Sequence, residues 1–180
     1  MNFIDTGLAG LYIIETEAFK DERGFFIRTY DKKEFSKINF NKEFVQMNAS
    51  FNAKKGTLRG MHYQLPPFEE TKLIRCVAGK VFDVAVDLRN QSSTYLKWFG
   101  VELSGENNKM ILIPGGFAHG FITLEENSEL TYCHTEFYNP SVERGIGYND
   151  MLLNIQWPVN ITCISEKDKN YPPLKSGLLI

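Results

Sequence analysis

Short runs in which apolar and polar residues alternate recur along the chain, bounded by Gly, Pro, Asn or Asp, and few segments carry a helical period. Alternation at period two sends successive side chains to opposite faces of a strand, so each run has a core face and a polar face. Residues 11–19 (LYIIETEAF) and 25–30 (FFIRTY) read as strands flanking a turn at Asp21, Glu22, Arg23 and Gly24. Residues 31–38 (DKKEFSKI) open on Asp31, a good N-cap, and predict a short helix. Further strands are predicted over 44–51, 57–64, 73–88 with Gly79 at a hairpin turn, 98–103, 110–113, 120–124 and 129–138. Strands at this spacing with so few helices argue for an all-β barrel or sandwich. No linker, repeat or low-complexity segment divides the chain, so a single domain over 1–180 is expected. After Trp157 the alternation gives way to a polar run, SEKDKNYPPLKSG, expected to cover the barrel as irregular or short-helical chain.

Composition narrows the function classes. At 180 residues the chain is long enough for a substantial core, and 43% of it is hydrophobic with a formal charge of −2. No basic excess announces a nucleic-acid surface. The start lacks a basic n-region, and Glu15 and Glu17 interrupt its apolar run, so neither a signal peptide nor a membrane span is expected. The three cysteines, Cys76, Cys133 and Cys163, are widely spaced among apolar neighbours. They read as small buried hydrophobes of a reducing, cytoplasmic setting.

The stretch 57–76, TLRGMHYQLPPFEETKLIRC, sets Arg59, His62 and Lys72 around a Pro-Pro turn. Two cations and a proton acceptor in one pocket suit an anionic substrate that must lose a proton. Of the other two histidines, His119 follows a Pro114-Gly115-Gly116 turn that delivers it into a strand. An edge histidine bonded to backbone is the plain structural alternative there. His134 follows Cys133 and is read as facing away from Tyr132, in a structural role.

The spacing Pro114-x-Gly116-x-x-His119 resembles the second motif of the cupin barrels, many of which hold a metal through a His-x-His pair and a glutamate. Here His62-Tyr63-Gln64 lacks one imidazole. His62 and His119 with Glu69 or Glu70 would make a two-histidine, one-carboxylate set, but Arg59 and Lys72 oppose a cation beside them. A metal-free, cofactor-free site is expected.

Longer runs are more specific. DERGFF (21–26), FVQMN (44–48), TLRGMHYQ (57–64), KLIRCVAGKVFDVAVDLR (72–89), IPGGFAHGF (113–121), ERGIGYND (143–150), Trp157-Pro158 and SEKD (165–168) occur in order over nearly the whole chain. Together they resemble the dTDP-4-dehydrorhamnose 3,5-epimerases and related nucleotide-sugar epimerases. The resemblance implies a cupin jelly-roll barrel with short peripheral helices. It implies a nucleotide-diphosphate 4-keto sugar as substrate, whose protons on carbons 3 and 5 are acidified by the ketone. It further implies His62 as general base, oriented by Asp168 with Asp83 as the competing partner, Lys72 at the enolate oxygen, and Tyr132 as the acid on the opposite face. Arg59 and Arg23 match the diphosphate cations, and Gln46, Asn48, His119, Tyr138, Glu143 and Lys167 match positions lining the site. Family members are homodimers in which part of the N-terminal region reaches the partner's site, so Arg23 is expected to act in trans. The implied product is a precursor of a bacterial surface polysaccharide.

Three departures stand out. Arg28 occupies a position usually held by a glutamate, Met47 one often held by aspartate, and TYCHTEFY (131–138) replaces the more usual LYKTTDYY. They suggest retained chemistry on an altered nucleotide or sugar, with GDP-linked heptoses or CDP-linked deoxy sugars as alternatives to a dTDP-linked hexose. A metal-dependent cupin oxygenase or isomerase and a non-catalytic sugar-nucleotide-binding barrel are the competing functions. Inversion at carbon 3 alone or at both carbons stays open at this level.

Overall fold

In the computed structural model, which describes residues 1–174, the alternating runs pair into two sheets. The first has the order β1 (Asn2–Asp5), β2 (Tyr12–Glu15), β10 (Met110–Ile113), β7 (Lys72–Ala78), β12 (Ser128–His134) and β5 (Gln46–Asn52). The second has the order β13 (Glu143–Gly145), β6 (Thr57–Gln64), β11 (Phe117–Thr123), β8 (Lys80–Asp87) and β9 (Trp98–Ser104), with β14 (Cys163–Ile164) parallel to β6. β3 (Phe19–Asp21) and β4 (Gly24–Phe26) form a separate hairpin. α1 (Lys32–Phe35) and α2 (Glu166–Lys169) are single turns outside the sheets.

The inward faces interleave. Ile74 and Cys76 of β7, Val81 and Ala85 of β8, Phe117 and Phe121 of β11 and Leu130 of β12 form one buried cluster with Ile13, Leu103, Ile111 and Ile113. Each fully buried side chain of this size contributes about 1.5–3 kcal/mol. This is the cupin barrel that the resemblance implies, with few and short helices. At one end of the interior the same inward parity brings polar residues instead of apolar ones, and the site lies there.

Several local expectations hold, and others are corrected. Asp31 caps α1 as expected, its Oδ1 accepting from the Lys33 and Glu34 amides at 3.0 and 3.3 Å. Run 11–19 does not continue as one strand: β2 ends at Glu15, and Phe19 begins the small hairpin. Gly79 is not a hairpin turn. β7 and β8 belong to different sheets, and Gly79, at φ +67°, is the corner where the chain crosses between them. A Cβ there would meet Ser128 Oγ at 2.5 Å. β12 stops at His134 rather than at 138. β1, β13 and β14 lie in stretches too short or too polar to signal strands. The tail after Trp157 supplies the expected short helix, α2, and residues 175–177 of its polar run lie outside the described residues. Cys76 is buried and Cys133 half-buried, but Cys163 is exposed, contrary to the expectation of three buried thiols. Among the described residues no helix is long and apolar enough to cross a membrane.

Candidate active site

Arg59 and His62 are separated by an odd number of positions, so a regular strand would turn them to opposite faces. A bulge in β6 prevents this. His62 pairs with His119 and Arg59 with Phe121, so the register shifts between the two pairs and β6 carries one extra residue there. Gly60 sits in the bulge at φ +124°, and a Cβ on it would lie 2.5 Å from the Gly120 Cα. The two backbones therefore approach closely only because both residues are glycine. As a result Arg59 and His62 line one cavity.

That cavity, about 260 Å³, lies between the sheets and is lined by Asn48, Ala49, Ser50, Arg59, His62, Lys72, His119, Phe121, Tyr132, His134 and Glu143. β6 and β11 of one sheet present Arg59, His62 and His119; β5, β7 and β12 of the other present Asn48, Ser50, Lys72, Tyr132 and His134. A larger cleft of about 740 Å³, lined among others by Tyr12, Phe40, Pro67, Glu69 and Pro114, contains no histidine and none of the residues expected to bind or turn over the substrate. Convergent titratable groups, not size, make the smaller cavity the candidate site.

His62 Nε2 lies 2.8 Å from Asp168 Oδ1, and the Gly60 amide donates to Asp168 Oδ2 at 3.3 Å. Burial pushes the Asp168 carboxyl up, but hydrogen bonding and charge from His62 and the Gly60 amide outweigh it, so the carboxyl stays ionised below its usual range. An ionised carboxylate only accepts, so His62 Nε2 carries the proton and Nδ1 keeps its lone pair. The competing partner, Asp83, instead takes His119, with Oδ2 2.8 Å from His119 Nε2. Burial lowers the His119 pKa, which Asp83 only partly offsets.

Tyr132 is held by its hydroxyl, 2.9 Å from Ser50 Oγ, and by its ring, which stacks on His134 at 6.2 Å and meets His119 edge-on at 6.4 Å. Burial drives its pKa far up, with the Ser50 hydrogen bond opposing weakly, so the phenol stays protonated. Lys72 Nζ lies 3.1 Å from Glu70 Oε1, while Glu70 Oε2 lies 2.7 Å from His134 Nδ1. Burial would raise the Glu70 carboxyl, yet His134 and Lys72 overcome this and hold it at about 2. Arg59 Nε donates to Asn52 Oδ1 at 2.7 Å.

At the rim, Lys167 Nζ and the Tyr138 hydroxyl both donate to Glu143 Oε2, at 2.5 and 3.0 Å. Glu143 raises the pKa of the Lys167 ammonium, which burial opposes. Gln46 joins this rim to the wall: its Oε1 accepts from the Tyr138 amide at 3.1 Å and its Nε2 donates to Asn48 Oδ1 at 3.3 Å.

The chain folds eleven of the twelve expected site residues into or around the cavity. Arg23 is the exception, standing in the exposed β3–β4 turn paired with Asp21. Arg28 bonds Asp31 at 3.2 Å, and Met47 points outward, 72% exposed, so neither lines the cavity. The reading of His134 is corrected. It is two residues from Tyr132 on one strand, hence on the same face, and it lines the cavity. Glu70 was considered only as a metal ligand, not as the partner of Lys72 and His134, and neither Ser50 nor Asn52 was foreseen. The signal for the last two lay in β5, where Gln46, Asn48, Ser50 and Asn52 alternate with Met47, Ala49 and Phe51. The proposed metal set does not form: Glu69 lies in the larger cleft and Glu70 is committed to Lys72 and His134. Among the described residues no group of three or more His, Cys, Asp or Glu is placed to hold a metal ion.

Comparison with known proteins decides the class. The family model described as dTDP-4-dehydrorhamnose 3,5-epimerase matches residues 5–176. The chain belongs to that family. It is 48% identical over 171 residues, 94% of each chain, to the dTDP-4-dehydrorhamnose 3,5-epimerase of Shigella flexneri. The crystal structure of the Elizabethkingia anophelis enzyme of that name superposes with a TM-score of 0.93 at 42% identity, covering 98% of both chains. The Legionella pneumophila dTDP-6-deoxy-D-glucose-3,5-epimerase, in complex with dTDP-4-keto-L-rhamnose, gives 0.91 at 42% identity over 96% of this chain and 92% of that one. The family is one of carbohydrate epimerases, and this chain is a nucleotide-diphosphate 4-keto-sugar epimerase of that isomerase class.

Proposed function

We propose that the substrate is dTDP-4-keto-6-deoxy-D-glucose and that the enzyme inverts both carbon 3 and carbon 5 to give dTDP-4-keto-L-rhamnose, a cytoplasmic step toward surface polysaccharide. The observation that carries this reading is the opposition of two groups across one cavity: His62 on one sheet, backed by Asp168 of α2, and Tyr132 and Lys72 on the other. His62 Nδ1 takes the proton from carbon 3, and the electron pair of that C–H bond moves into the ketone to form an enolate at carbon 4. Lys72 holds the oxyanion, an interaction worth roughly 3–4 kcal/mol when a comparable donor is removed. The enolate collapses as the Tyr132 hydroxyl delivers a proton to the other face of carbon 3, inverting it. Asp168 stabilises the imidazolium in between. The same cycle at carbon 5 completes the reaction after the groups regain their protonation states through solvent.

Double inversion is favoured by likeness: this chain is 42% identical to the Legionella 3,5-epimerase and 29% identical to ChmJ, a 3′-monoepimerase from Streptomyces bikiniensis. Arg59 binds the diphosphate from within the cavity. Arg23 reaches it from a second copy of the chain in a homodimer, and the hairpin that bears it exposes Phe19, Phe25 and Phe26 as a partner surface would require.

Incubation of the enzyme with dTDP-4-keto-6-deoxy-D-glucose in heavy water tests this. Deuterium is expected at carbons 3 and 5 of the product. Incorporation at carbon 3 alone would make it a monoepimerase, and preference for the GDP- or CDP-linked analogue would overturn the nucleotide.

A further inference from the structure

His134 has no part in the reaction as written above, yet it sits under both groups on its side of the cavity. It stands directly opposite Lys72 in the β12–β7 register and stacks on the Tyr132 ring with an interplanar angle of 27°. It is buried, at 7% exposure, and both ring nitrogens are engaged. Asn48 Nδ2 donates to Nε2 at 3.2 Å, so Nδ1 carries the proton and donates to Glu70 Oε2 at 2.7 Å. Glu70 turns its other oxygen to Lys72 Nζ. The result is a connected network: Asn48 donates to His134, and His134 and Lys72 each donate to a different oxygen of Glu70.

We propose that His134 is a positioning residue that keeps the Lys72 ammonium available to the enolate oxygen by occupying the second oxygen of Glu70. A buried carboxylate demands a donor for each oxygen. With His134 on Oε2, Glu70 engages Lys72 through Oε1 alone and leaves the remaining ammonium N–H groups for the cavity. Without that donor, the unpaired oxygen draws Lys72 into a closed two-oxygen pair, which turns its donors away from the substrate and spends its charge on Glu70. The imidazole also fixes the plane of Tyr132, so its loss disturbs the acid in the same direction.

This inference rests on the reading of Lys72 as the enolate-stabilising group, and the experiment separates the two. Steady-state kinetics on dTDP-4-keto-6-deoxy-D-glucose are compared for the full-length enzyme, His134→Leu, His134→Asn, Glu70→Gln and Lys72→Met. His134→Leu is expected to lower kcat roughly 10- to 100-fold with KM within about two-fold, because the loss falls on the transition state. His134→Asn places an amide N–H near the Nδ1 position and is expected to recover most of that loss; it also serves if the leucine variant does not fold. In a Glu70→Gln background His134→Leu is expected to cost little more, since the two act through one network. Wild-type kcat in His134→Leu, an asparagine variant as slow as leucine, or fully additive losses would overturn the proposal. Wild-type turnover in Lys72→Met would overturn the Lys72 reading and this inference with it. A dead Lys72→Met beside an unimpaired His134→Leu would remove this inference alone.

Discussion

His62 Nε2 and Asp168 Oδ1 lie 2.8 Å apart although 106 positions separate them in the chain. β14 makes the contact possible. It runs parallel to β6, with Cys163 opposite Thr57 and Ile164 opposite Leu58, and hands the chain into α2, whose Asp168 then faces the bulge at Gly60. The pair assigns the imidazole tautomer, which leaves Nδ1 with its lone pair.

Replacement of His62 by asparagine removes the base of the proposed mechanism. His62→Asn is expected to abolish deuterium uptake at both carbons while the circular dichroism spectrum stays native. Asp168→Asn is expected to lower kcat by at least about 100-fold, because an amide neither selects the tautomer nor stabilises the imidazolium. Retained exchange in His62→Asn would remove it from the role.

Tyr132 is kept protonated by burial, which fits a donor rather than a base. Tyr132→Phe is therefore expected to slow epimerisation by roughly 100-fold while slowing solvent exchange at carbon 3 much less. Product formation and deuterium washout, followed in one NMR time course, supply the two rates. Equal losses in both would argue against a pure donor role.

The bulge is sensitive to a single methyl group. Gly60→Ala sets a Cβ 2.5 Å from the Gly120 Cα and 2.8 Å from the His119 carbonyl, at a φ of +124°. Destabilisation of about 2–4 kcal/mol is expected in urea unfolding, with loss of activity beyond that of stability because Arg59 and His62 both flank the bulge. A variant of native stability and activity would show that the close approach relaxes freely.

Glu70 links the site to acid stability. Its carboxyl falls from an ordinary 4.5 to about 2 on folding, so between these values the unfolded chain binds more protons than the folded one. The contribution is complete above the unfolded value and is lost as pH falls through the folded one. Urea midpoints of wild type are expected to drop from about pH 6 to about pH 3 by the equivalent of on the order of 1–3 kcal/mol more than those of Glu70→Gln. Parallel curves for the two proteins would mean that Glu70 is equally ionisable folded and unfolded.

Much of this was legible in the chain. Period-two alternation marked most of the strands of both sheets, Asp31 announced α1, and the stretch holding Arg59, His62 and Lys72 announced three side chains that line one cavity. These are local properties: which face a side chain takes and what it can ionise are set by neighbours in sequence and by residue type. Four features were decided only by the tertiary structure. The β6 bulge put Arg59 and His62 on one face against simple alternation. β14 chose Asp168 for His62 and left Asp83 to His119. The β7–β12 register brought His134 and Glu70 onto Lys72. Gly79 became a corner between sheets where a hairpin was equally compatible with the residues. Each depends on which strands become neighbours and in what register, and that is settled by the burial of whole faces across the barrel, which no short window of sequence contains.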